Sequence, residues 1–139
     1  MQEKIKELRN NCLLELANWW GLRESGNGGT IITKDKKLYT YTFYHRLTPF
    51  LERNNIPQEY ISKGIALTNN QYNKIIEFIE TEIVGKTFTS QPIFDASFNV
   101  SGNYNGESFH IHNNKGFGND EEGLYDKTKK LIETIKGEN

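Results

Sequence analysis

Along residues 3–20, Ile5, Leu8, Cys12, Leu16 and Trp19 recur every three or four positions, and Gly21 follows where a helix would stop. The spacing predicts a first helix over this segment. Ser25 to Gly29 is small and polar and reads as a connector. Residues 30–33 and 38–45 carry β-branched and aromatic side chains on either side of the Lys34–Lys37 turn, which predicts a β-hairpin. Pro49 after Thr48 suits the first turn of a short helix, and a second short helical piece is expected from Pro57 to the stop at Gly64.

In the second half, Thr68 and Gln71 have the spacing of a capping box, and Tyr72, Ile75, Ile76, Ile79 and Ile83 form a wide apolar face. This predicts a helix over 69–84, closed by Gly85. Pro92 ends a connector, and residues 93–101 and 107–113 then alternate around Gly102-Asn-Tyr-Asn105 as a second hairpin. Asp120 is positioned to cap a final helix with Leu124, Thr128, Leu131 and Ile135 along one face and Gly137 beyond its end. The order α-ββ-α-ββ-α predicts one α+β domain spanning 1–139. Its antiparallel sheet would have about four strands, from the two hairpins, with helices packed on one face.

Charge narrows the function. A formal net charge of −1 provides no general field for a phosphate backbone, so nucleic acid is not an expected partner. Cys12, the lone cysteine, rules out an internal disulfide and reads as a buried, inert thiol. The charged N-terminal residues lack the apolar core of a signal peptide, and no apolar run is long enough for a membrane-spanning helix, so a cytoplasmic location is expected.

Candidate chemistry gathers on the second hairpin. With residues 102–105 as a four-residue loop, Phe98 opposes Phe109 and Ala96 opposes Ile111 on an apolar side. On the other side Asn99 opposes Ser108, Ser97 opposes His110, and Asp95 opposes His112. Paired imidazoles beside a carboxylate can act as acid and base, and His45 at the end of the first hairpin could join them. A solvated sheet face accounts for the same residues more simply. No third and fourth ligand appears at metal-site spacing, so no metal or cofactor is expected. Lys115-Gly-Phe-Gly118 occupies the position of a phosphate loop, but Asp120, Glu121 and Glu122 after it would repel phosphate. Tyr39, Tyr41 and Phe43 share one strand face, as core or as contact surface. Of the adjacent Trp19 and Trp20, one should lie off the apolar stripe and be open to solvent.

A small, near-neutral α+β chain with helices flanking hairpins and a polar, aromatic-studded surface resembles the immunity proteins of bacterial polymorphic and contact-dependent toxin systems. The resemblance is one of architecture and carries over no functional residue. It implies a protein-binding inhibitor that neutralises a cognate toxin domain by occluding its active site. Asp95, Ser97, Asn99, Ser108, His110 and His112 would then be the partner-binding residues. The alternatives are a small hydrolase or nuclease that uses His110, His112 and Asp95, and a phage-encoded inhibitor of a host defence system.

Overall fold

Leu13, Leu14, Glu15 and Leu16 form a run too continuous for one helical face. In the computed structural model, which describes residues 2–21, 24–91, 93, 96–116 and 122–138, this run is a strand. The expected helix over 3–20 is thus two elements. Helix α1 covers Gln2–Asn10 and strand β1 covers Cys12–Trp20. The three-to-four spacing from Ile5 to Trp19 crossed the break by coincidence. What it passed over was Leu13 and Leu14, and a strand buried on both faces has just such a block of adjacent apolar residues.

The first hairpin is present and longer than its β-rich residues suggested. Strand β2 is Gly26–Thr33 and β3 is Lys37–Tyr44, so the glycine-rich connector is strand. At Gly29 a Cβ would lie 2.3 Å from the Leu16 carbonyl oxygen, so close backbone approach explains the glycine there. Helix α2, Pro49–Arg53, begins where Thr48 and Pro49 place it, with the Thr48 hydroxyl accepting from the Leu51 N–H. The helical piece expected from Pro57 to Gly64 is instead extended. It supplies β4, Glu59–Ile61, followed by β5, Ile65–Ala66, both paired with β3. Tyr60 and Ile61 favour strand, and β3 offers an edge to pair with.

Helix α3, Asn69–Glu82, has the expected reciprocal capping box between Thr68 and Gln71. Strands β6, Ala96–Tyr104, and β7, Glu107–His112, form the second hairpin, and helix α4 is Leu124–Gly137. Asp126 in the first turn of α4 accepts from the backbone N–H groups of Gly123 and Gly116. The expected cap, Asp120, lies outside the described residues.

All pairings in the sheet are antiparallel. Its order is β4-β3-β2-β1-β6-β7, with β5 also on β3, making seven strands rather than about four. β1 sits in the middle because β6 returns to pair with it. Adjacent residues of β2 show how the layers are arranged. Ile32 packs with Leu14, Leu16, Val100 and the apolar faces of α3 and α4, whereas Ile31 packs with Ile5, Leu8, Cys12 and Tyr41 beneath α1. Side chains of neighbouring strand residues point to opposite faces, so α1 lies across the sheet from α3 and α4. The expectation of helices on a single face is corrected accordingly. A strand with apolar residues on both faces needs cover on both.

Candidate functional site

The second hairpin turns two residues later than the sequence suggested. Asn105 and Gly106 have φ of 56° and 82°, the left-handed pair of a two-residue hairpin turn, and Gly102 to Tyr104 are strand. Gly102 belongs there because a Cβ would fall 2.1 Å from the Leu13 carbonyl oxygen of the packed N-terminal segment. The expected pairings of Ser97 with His110, Asn99 with Ser108, Asp95 with His112, Phe98 with Phe109 and Ala96 with Ile111 are therefore replaced. His112 opposes Asn99, His110 opposes Ser101, Ser108 opposes Asn103, Phe109 opposes Gly102, and Ile111 opposes Val100. Each partner moves by four positions, an even number, so every side chain keeps its face. Asp95 lies outside the described residues.

The pairings line up rows across the sheet. One row runs His110, Ser101, Glu15, Ile31, Tyr39; the next runs His112, Asn99, Ala17, Gly29, Tyr41; a third joins Ser97, Trp19, Asn27 and Phe43. These side chains share the face on which α1 lies. Helix α1 covers the end near Ile31 and Tyr41. Toward β6 and β7 the face is open, with His110 and His112 exposed and Ser97, Asn99 and Ser101 half-buried. Ser97, Asn99, Ser108, His110 and His112 share this face, as the alternation along the two strands predicts. Glu15, Ser101, Trp19 and Arg9 adjoin them, which the sequence reading did not anticipate because assigning residues 12–20 to a helix removed the strand that joins them to the hairpin.

Where covered and open parts meet, Glu15 is 4% exposed. Its carboxylate accepts from Arg9 Nε at 3.0 Å, from Arg9 Nη2 at 2.9 Å and from the Tyr41 hydroxyl at 2.6 Å. A forked guanidinium and a phenol thus satisfy a buried charge. The hydrogen bond to Glu15 raises the Arg9 pKa. Burial, then the Glu15 charge, raises that of Tyr41, and burial pushes the Cys12 thiol up to about 12.

Beyond this cluster lies a shallow cavity of about 340 Å³, lined by Arg9, Glu15, Trp19, Asn27, Asn99, Ser101 and His110 among others. Trp19 is 36% exposed and stacks on His45, whose Nε2 is 3.1 Å from Asn27 Oδ1. Trp20 points to the other face and donates to the Glu24 carbonyl, so Trp19 is the solvent-open indole. The His112 Nδ1 lies 2.5 Å from Asn99 Oδ1. The rings of His110 and His112 are 6.5 Å apart. His45 meets Trp19 and Asn27 rather than this pair. Among the described residues no group of three or more His, Cys, Asp or Glu is arranged to hold a metal ion. No described helix is long and apolar enough to cross a membrane.

Lys115 lies 3.7 Å from Asp126, and the Gly116 N–H is donated to the same carboxylate. The described part of this loop thus meets the Asp126 carboxylate, while Phe117, Gly118, Asp120 and Glu121 lie outside the described residues. Tyr41 is buried, and Tyr39 and Phe43 pack against the cluster under α1, so this aromatic row is core. Compared with protein-family models, with curated proteins and with solved structures, the chain matches none.

Proposed function

We propose that the chain is a protein-binding inhibitor of the immunity type, which lays the open half of its sheet over the active site of a cognate toxin domain. One observation carries this reading. A single sheet face is divided into a half sealed by α1 and an uncovered half where Trp19 stands among Asn27, Asn99, Ser101 and His110. Tryptophan is enriched where interfaces concentrate their binding energy, and short polar side chains such as Asn and Ser supply adaptable hydrogen bonds around such an anchor. The rigid ladder beneath holds these groups in place before binding, which lowers the ordering cost of association. The hydrolase alternative is weaker because Asn99, an amide, stands opposite His112 where a carboxylate was expected. An inhibitor of a defence protein would use the same face and differ only in its target.

The test uses the toxin domain that this reading expects to be encoded beside the chain. Wild type should form a one-to-one complex and restore growth of cells producing the toxin. Ser101→Arg, which places a long cation in the middle of the open face, should fold normally and bind at least about 100-fold more weakly, a loss of about 2.7 kcal/mol. Undiminished protection by this variant, or no complex with wild type, would count against the reading.

A further inference from the structure

The two edges of the sheet are built differently. One side of β3 is divided between β4 and β5, strands of three and two residues separated by residues 62–64. Short, interrupted edges are a common defence against joining foreign strands. β7 lies at the other edge and is six residues long, Glu-Ser-Phe-His-Ile-His, with no proline, no lysine and no irregularity in its register with β6.

The turn determines which backbone groups face outward. A two-residue hairpin closes on a pair that exchanges both hydrogen bonds, here Tyr104 and Glu107, and such pairs alternate along an antiparallel ladder. Gly102 with Phe109 and Val100 with Ile111 follow, and the 2.6 Å bond from the Asn113 N–H to the Phe98 oxygen continues the series. The N–H and C=O groups of Ser108, His110 and His112 consequently point away from β6. Two hollows lie along this edge on the helix side. One, of about 380 Å³, is lined by Ile83, Val84 and Phe109; the other, of about 430 Å³, is lined by Lys86, Phe88 and Ile111. Val84 is 51% exposed beside them.

We propose that this edge pairs with the same edge of a second copy of the chain, β7 against β7, antiparallel about a two-fold axis at His110. His110 then meets its counterpart and Ser108 meets the second copy's His112. The three outward residues of each strand exchange about six hydrogen bonds. On the helix side Phe109 lies against the second copy's Ile111, and together they fill the hollows beside Ile83 and Phe88. Glu107 passes the end of the pairing on the same side as the second copy's Lys86, which brings opposite charges together there. A strand from another protein would satisfy the backbone equally well. A second copy also satisfies Glu107 and Lys86 in both directions, as an isologous contact requires. The contact does not depend on the toxin-binding reading.

Size-exclusion chromatography with light scattering, from low to high micromolar concentration, tests this pairing. Wild type should reach about 32 kDa, twice the 16.1 kDa of one chain. His110→Pro removes an outward N–H but spares the ladder to β6, so it should give a folded monomer by circular dichroism and light scattering. Should that variant fail to fold, His110→Lys, which sets two ammonium groups face to face, should give the monomer instead. A wild type that stays monomeric throughout the range would overturn the proposal. So would a dimer that survives in either folded variant, or a β7 edge protected from amide exchange only by an unrelated peptide.

Discussion

Glu15 and His110 lie in one row of the sheet with Ser101 between them, yet their surroundings differ completely. Glu15 is enclosed by Arg9, Tyr41 and the apolar side of α1, with each carboxylate oxygen satisfied. His110 is exposed on the last strand. The difference comes from the length of α1, which ends at Asn10 and covers only part of a seven-stranded face. One half of this face contributes to stability, and the other half holds polar groups in fixed positions at little cost to the fold.

That contrast can be broken most sharply in the core. Ile31→Ala, at a fully buried position beneath α1, should destabilise by about 2–5 kcal/mol, read as a shift in the urea midpoint. Glu15→Gln comes next. It leaves Arg9 without its counter-charge and should cost about 1–3 kcal/mol, an effect that His110→Ala in the same row should not show. Thr68→Ala removes the α3 cap and should cost about 1 kcal/mol.

Two titrations sharpen the comparison with smaller effects. The Tyr41 phenol has a raised folded pKa, so its contribution to stability is complete below the unfolded value of about 10 and is lost as pH rises toward the folded one. Thermal unfolding followed above about pH 10 should therefore show a steeper fall for wild type than for Tyr41→Phe. With its thiol pushed up to about 12 by burial, Cys12 should react with a disulfide reagent at pH 8 only after denaturant is added. Rapid labelling of the native chain would show that α1 does not seal this half.

What the sequence revealed follows from how locally each signal is written. The Thr68–Gln71 cap, the Thr48–Pro49 start and the two hairpins depend on residues a few positions apart, and all are found. β1 was hidden because its burial on both faces depends on α1, β6 and the distant helices, none of which leaves a period within residues 12–20. The hairpin register was misjudged because Gly102 resembles a turn glycine and is instead a close-approach glycine against Leu13. The polar face survived that error because the shift was even. Its full extent did not, since Glu15, Ser101 and Trp19 join it only once β6 pairs with β1.

The claim that the open half-face is the working surface rests most directly on Trp19. In a Trp20→Phe background the fluorescence of Trp19 alone reports its contact with solvent, and acrylamide should quench it readily in the free chain, where the residue is 36% exposed. On adding the proposed toxin partner in excess, the emission should shift to the blue and quenching should be largely lost. A stable complex in which Trp19 is quenched as freely as before would place the contact elsewhere and contradict the account.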